Sequence, residues 1–114
     1  MVGDQHGNPT SALDLADAIL MVAANAHRGR GQTYHVAGSG IASWFDVAVA
    51  VQDELACLGK KHAAVTPITT ADWPTPARRP AYSALDCSKF TLDFGVAMPD
   101  WRASLRPIVE RLVG

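Results

Sequence analysis

Two adjacent arginines, Arg78 and Arg79, stand in the run Pro74-Thr75-Pro76-Ala77-Arg78-Arg79-Pro80. Three prolines restrict the backbone on both sides of the pair, so presenting the two guanidinium groups costs little entropy. Guanidinium forks bond phosphate oxygens in bidentate fashion, and a diphosphate would match such a pair. The competing reading is a solvated charge pair, or arginines bonded to carbonyls and acids at a domain surface. A second polar run, Asp4-Gln5-His6-Gly7-Asn8-Pro9-Thr10, sets carboxylate, amide and imidazole ahead of a helix start, where an anion can be held. Ordinary turn and cap chemistry calls for the same residue types.

Other chemistries find less support. Gly38-Ser39-Gly40 follows a strand pattern and precedes a helix, but Ser43 stands where a dinucleotide loop needs its third glycine, and no Gly-Lys-Ser/Thr follows. It reads as a turn. The histidines His6, His27, His35 and His62 have no i,i+4 partner, so no metal set is expected. His35 reads as a packed, hydrogen-bonded core residue. Cys57 and Cys87 read as two reduced, buried thiols. Trp44, Trp73 and Trp101 read as core or interface residues, because too few basic residues surround them for a nucleic-acid stacking platform.

These groups must be positioned by a mixed α/β framework. Residues 1–10 read as an extended piece ending in a loop. Ser11 and Asp14 have capping-box spacing, and Leu13, Ala16, Ile19, Leu20 and Ala23 then recur at helical intervals up to about His27. Thr33–Ala37 is rich in β-formers and reads as a short strand. Ser43 and Asp46 repeat the capping spacing before a helix from Trp44 to about Leu58, with Phe45, Val49, Leu55 and Leu58 as core candidates and Gly59 as its stop. Ala63–Thr69 reads as a strand, with Pro67 marking an edge or a bulge. Trp73–Pro80 is an ordered loop. Asp86 caps a short helix through Lys89 to Phe94, ended by Gly95. Pro99-Asp100 opens a last helix, Trp101–Val113, with Leu105, Ile108, Val109 and Leu112 on one side. The expected fold is a small α/β domain of about four helices and two to three short strands. Such a thin sheet is meagre for a stand-alone fold, and Thr33–Ala37 would sit better beside strands that residues 1–114 do not contain.

Size and charge bound the rest. A chain of 114 residues suits one domain, and 48% hydrophobic residues is too many for disorder. Ten basic residues against eleven acidic ones give a net charge of −1, which speaks against a nucleic-acid or membrane-surface partner. The longest apolar stretch, Ala18–Ala24, is too short to span a bilayer, and nothing reads as a signal peptide. A soluble, cytoplasmic protein is expected.

Taken together, several strings resemble one family: Asp4-Gln5-x-Gly7-x-Pro9-Thr10 with Asp14-Leu15-Ala16; Thr33-Tyr34-His35-Val36-Ala37-Gly38-Ser39-Gly40 with Ser43-Trp44-Phe45; and Thr66-Pro67-Ile68. The Pro74–Pro80 run with Ser83-x-Leu85-Asp86, and Pro99-Asp100-Trp101, complete the set. In this order they resemble the C-terminal portion of the dTDP-4-dehydrorhamnose reductases, extended short-chain dehydrogenase/reductases with an N-terminal Rossmann domain and a smaller C-terminal substrate domain. The resemblance implies reduction of dTDP-4-dehydro-L-rhamnose to dTDP-L-rhamnose by NADPH or NADH in the full-length enzyme, for cell-surface polysaccharides. It implies a dTDP-sugar and the missing Rossmann domain as partners, a homodimer, and Mg at a dimer contact. Carried onto this sequence, Arg78 and Arg79 would contact the diphosphate, Ser83 would support their loop, and Gln5 and Thr10 would line the domain junction. Tyr82 stands where the family usually has asparagine, and Asn8 replaces a smaller residue. The family's Tyr-x-x-x-Lys pair is absent, since neither Tyr34 nor Tyr82 has lysine four residues on, so residues 1–114 alone are expected to be an inactive substrate-domain fragment. Two other readings remain: an interaction domain resembling the regulatory subunit of methionine adenosyltransferase, and a stand-alone binding or structural domain.

Overall fold

Ser11, Ser43 and Asp100 each start a helix, and in each case the side-chain oxygen accepts backbone N–H groups that the first turn would leave unpaired. A computed structural model describes all residues 1–114. Its order is β1 (His6–Gly7), α1 (Ala12–Ala24), β2 (Ala42–Ser43), α2 (Trp44–Cys57), α3 (Ser88–Phe94) and α4 (Trp101–Val113), with short 3-10 turns at Ala26–Gly29 and Thr70–Asp72.

The sheet is minimal. β1 and β2 pair antiparallel, His6 opposite Ser43 and Gly7 opposite Ala42. His6 also bridges Tyr82 in parallel, donating from its N to Ala81 O (2.9 Å) and accepting from Ser83 N (2.8 Å). One turn earlier in the chain, Val2 bridges Ile68 in the same sense. The opening segment therefore runs between α2's N-terminus on one side and residues 66–83 on the other.

The core lies elsewhere, on α3. Phe90 is fully buried, and Ala18, Phe94 and Met98 pack with it, rimmed by Met21, Val22, Tyr34 and Val36. The Tyr34 ring meets Phe94 edge-on at 5.2 Å, a favoured aromatic geometry. α2 and α4 also pack against each other, and each buries one residue, Ala50 in α2 and Val109 in α4. Only 11 of the 114 residues are buried. The radius of gyration is 16.4 Å, against roughly 13 Å for a compact domain of this length.

Several expectations are corrected. Thr33–Ala37 is extended but pairs with no strand. Its alternation survives: Tyr34 and Val36 turn inward while Thr33 and His35 face solvent, so His35 is exposed rather than packed in the core. A β-segment needs a neighbour for its ladder, and no segment of residues 1–114 pairs with it. Ala63–Thr69 likewise reduces to the single bridge at Ile68.

In α1 the expected apolar face is the exposed one: Leu13, Ile19 and Leu20 face solvent, and Ala18 packs inward. α1 is apolar nearly all round, so periodicity could not choose a face. It ends at Ala24 rather than near His27, since the Asn25 amide donates to Met21 O (2.9 Å) and the chain tightens into a 3-10 turn. The Ser11–Asp14 box is half made: Ser11 Oγ accepts from Asp14 N, but the Asp14 carboxylate accepts from the Ser104 hydroxyl of α4 instead.

Leu112 is exposed although Leu105, Ile108 and Val109 turn inward, because α2 covers only part of α4. Asp86 lies one residue before the cap of α3, yet its carboxylate still accepts from Ser88 N at 2.9 Å. Cys57 is exposed at the end of α2 and Cys87 is half-buried, so the thiols are free but not both interior. Trp44 and Trp73 are exposed, and only Trp101 of the three tryptophans is half-buried.

Candidate functional site

The β1 segment, the N-terminus of α2 and the loop before Ser83 converge on one cavity of about 280 Å³. Gln5, His6, Gly7, Asn8 and Pro9 form its floor, Ser43, Trp44 and Val47 one wall, and Arg79, Pro80 and Ser83 the other. No carboxylate lines it, so Arg79 sets the sign of its charge. The volume lies just under the roughly 300 Å³ at which ligand pockets usually begin.

The walls are tied down. Asp46 and Ser43 complete a capping box: Ser43 N donates to Asp46 Oδ2 (2.8 Å) and Asp46 N to Ser43 Oγ (3.1 Å). The bond from the Ser43 backbone holds the Asp46 carboxyl below the usual carboxylate range. On the opposite side, Asn8 Oδ1 accepts from Leu85 N (2.6 Å) and Asn8 Nδ2 donates to Gly40 O (3.0 Å), so one side chain joins three segments. Thr75 Oγ1 donates to Ala77 O (2.7 Å), which shapes the turn ahead of the arginines. Asp4 is used outside the cavity: its carboxylate accepts from Thr70 N (2.9 Å) and Thr70 Oγ1 (2.7 Å), and the Thr70 backbone bond lowers its pKa.

Of the residues singled out in the sequence, Gln5, Arg79 and Ser83 line the cavity, and Arg78 and Thr10 do not. Gln5 Nε2 donates to Thr70 Oγ1 at 3.2 Å, and Ser83 is fixed by its backbone bond to His6 O. Thr10 works in the scaffold: its hydroxyl donates to Asn8 O and accepts from Gly38 N, both at 2.9 Å. Neither Arg78 nor Arg79 has an ion-pair partner in the chain. In the sequence Trp44 reads as a core or interface residue and Ser43 as a cap, neither as a site residue, and Val47 is not singled out. Their signal lay in the β1–β2 pairing, which no local pattern announces.

A nicotinamide cofactor does not fit the residues present. A Cβ on Gly38 would stand 2.2 Å from Pro9 O, so the turn at Gly38-Ser39-Gly40 closes on the chain's own backbone and leaves no cradle for a pyrophosphate. No group of three or more His, Cys, Asp or Glu side chains is placed to hold a metal ion, and nothing here supports magnesium. No helix is long and apolar enough to cross a membrane.

The family described as the RmlD substrate binding domain matches residues 1–113. A dTDP-4-dehydrorhamnose reductase of Sinorhizobium fredii is 39% identical over 121 aligned positions, covering 99% of this chain and 40% of that protein. A crystal structure of a dTDP-4-dehydrorhamnose reductase from Clostridium acetobutylicum superposes with a TM-score of 0.82 at 38% identity, over 97% of this chain and 37% of its own. A second, the Bacillus anthracis reductase in complex with NADP, gives 0.74 at 31% identity, over 96% and 35%. The chain thus spans about 40% of the length of the curated relatives it matches. These relatives lend no support to an interaction domain of the methionine adenosyltransferase type.

Proposed function

The chain belongs to the RmlD substrate binding domain family, and from that premise we propose that it is the dTDP-sugar-binding part of a dTDP-4-dehydrorhamnose reductase. The whole protein would reduce the 4-keto group of dTDP-4-dehydro-L-rhamnose with NADPH or NADH, in the cytoplasm, for cell-surface polysaccharide synthesis. A Rossmann domain outside residues 1–114 would supply the cofactor turn and the Tyr-x-x-x-Lys pair. Residues 1–114 bind and orient; by themselves they are expected to catalyse nothing.

One observation carries this reading: an arginine without an ion-pair partner, Arg79, faces a cavity that contains no carboxylate. A diphosphate there would gain charge-assisted hydrogen bonds from a guanidinium that has no competing acid to satisfy. Ala81 and Ser83 hold the arginine's loop against β1 through the His6 N to Ala81 O and Ser83 N to His6 O bonds. The Gln5 carboxamide and the His6 imidazole on the floor offer further polar contacts for the sugar nucleotide.

Titration of the chain with dTDP, followed by backbone NMR, tests this. Shifts gathered on Arg79, Ser83 and residues 5–9 are expected. No shift at millimolar dTDP would mean that the binding energy comes from the other domain, and the cavity would lose its standing as a site of its own.

A further inference from the structure

The Thr70 hydroxyl serves two consecutive side chains of the opening segment. Thr70 Oγ1 donates to Asp4 Oδ1 at 2.7 Å, and Thr70 N donates to the same oxygen at 2.9 Å. Gln5 Nε2 then donates to Thr70 Oγ1 at 3.2 Å. A hydroxyl has one proton, and a carboxylate only accepts. The Thr70 backbone bond holds Asp4 below the usual carboxylate range, so at neutral pH the Thr70 proton is committed to Asp4. Thr70 Oγ1 is left as an acceptor for Gln5. That fixes the Gln5 carboxamide with its NH2 group on Thr70 and leaves Oε1 as its free end. The turn that carries Thr70 is fixed in its own right, since Thr69 N and Thr69 Oγ1 both donate to Asp72 Oδ2, at 2.9 and 3.0 Å. Gln5 lines the cavity that holds Arg79; Asp4 and Thr70 stand outside it.

We propose that Asp4 and Thr70 are positioning residues that set the polarity of Gln5, so that the cavity offers a hydrogen-bond acceptor to a sugar hydroxyl beside the cation that meets the diphosphate. The assignment rests on the reading of Arg79 above and adds a basis for selecting the sugar. An unrestrained carboxamide presents either end to a ligand, and its NH2 group would serve a bare anion as well as a hydroxyl. The bonds to Asp4 and Thr70 remove that choice. With Oε1 as the free end, a hydroxyl gains a bond, whereas a terminal phosphate, which has only acceptors when ionised, meets another acceptor. Selectivity of this kind comes from an element that disfavours the wrong ligand as much as from one that favours the right one. Holding the amide before the ligand arrives also lowers the entropy cost of making the contact. Asp4 and Thr70 need touch no ligand to do this. Their contribution passes through the orientation of one neighbouring side chain.

The test compares dTDP-L-rhamnose with dTDP by NMR titration, on the parent chain and on Asp4→Asn, Thr70→Val and Thr70→Ser. The two ligands differ only in the sugar. The ratio of their affinities is the readout, since a variant that merely loosens the fold weakens both alike. Thr70→Val removes the hydroxyl and keeps the N–H bond to Asp4; the ratio is expected to fall roughly fivefold against the sugar, the span of one hydrogen bond. Thr70→Ser should restore it. In Asp4→Asn the new amide donates to Thr70 Oγ1, which frees the Thr70 proton for Gln5 Oε1 and turns the Gln5 carboxamide over. The ratio should then fall as far as in Thr70→Val, and the nuclear Overhauser contact between the Gln5 amide protons and the Thr70 methyl group, expected in the parent, should be lost. A ratio unchanged in both Thr70→Val and Asp4→Asn overturns the proposal and leaves the Arg79 site standing. Failure of both ligands to bind the parent overturns both.

Discussion

Asn8 Oδ1 accepts a hydrogen bond from Leu85 N at 2.6 Å, across a sequence separation of 77 residues. The same carboxamide donates to Gly40 O, so Asn8 clamps the loop that carries Arg79 and Ser83 to the turn before β2. Each bond is worth about 1 kcal/mol net. Asn8→Ala is expected to lower stability by roughly 1–2 kcal/mol in urea unfolding and to weaken dTDP binding by loosening the arginine loop. Asn8→Asp keeps the acceptor for Leu85 N and loses the donor to Gly40 O, so its cost should fall between. A variant Asn8→Ala that unfolds like the parent would show that the prolines alone hold the loop.

The two arginines should not behave alike. Arg79 faces the cavity and Arg78 does not. Arg79→Ala is expected to weaken dTDP binding roughly tenfold or more, the range of a charge-assisted contact, and Arg78→Ala much less. Arg79→Lys should rescue only partly, because an ammonium cannot make the bidentate fork. Equal losses at both positions would move the anion out of the cavity.

Acid should destabilise the fold through a defined set of carboxylates. Asp46, Asp4, Asp72 and Asp86 each accept hydrogen bonds from nearby backbone N–H groups or hydroxyls, which lowers the pKa of each from an ordinary value of 3.8. A lowered folded-state pKa adds stability that is complete above 3.8 and lost as the pH falls through the lowered value. Urea midpoints should therefore hold steady above about pH 5 and drop toward pH 2–3. Ser43→Ala removes the acceptor for Asp46 N and is expected to cost about 1 kcal/mol at neutral pH. Its acid loss should be smaller than the parent's, since Asp46 then has less to lose.

Two positions tolerate little. Phe90→Ala empties the centre of the core and is expected to cost roughly 3–5 kcal/mol, enough to unfold a chain with so few buried residues. Gly38→Ala pushes a methyl group to 2.2 Å from Pro9 O, a contact with backbone that cannot rotate away, and should cost at least roughly 1–3 kcal/mol. Circular dichroism melts check both.

Leu13, Ile19, Leu20 and Leu92 expose apolar surface that nothing in residues 1–114 covers. Marginal stability is expected, with a Tm no higher than about 60 °C. Replacing Ile19 and Leu20 by lysine should raise solubility while leaving stability within about 0.5 kcal/mol for each site, provided the face is open. A marked loss of stability would mean that the face is covered, by a second copy of the chain.

Much of the local structure was legible in the sequence because its causes are local. A serine or aspartate oxygen beside an apolar run finds the N–H groups two or three residues on, so Ser11, Ser43 and Asp100 marked helix starts in advance. Gly59 and Gly95 marked stops, since both take positive φ, and the proline-rich run marked a loop. The resemblance of the Pro74–Pro80 and Asp4–Thr10 strings pointed to the family for the same reason: short motifs keep their spacing. Tertiary structure alone decided which side of α1 faces in, because a helix apolar all round carries no periodic preference and its partner, Phe90, lies far along the chain. It decided that Thr33–Ala37 stays unpaired, since a ladder needs a neighbour that residue types cannot supply. It also decided that Trp44 is a wall rather than core and that Arg79, not Arg78, enters the cavity. Those outcomes depend on how β1 docks between β2 and Ala81–Ser83, a register set by hydrogen bonds spanning most of the chain.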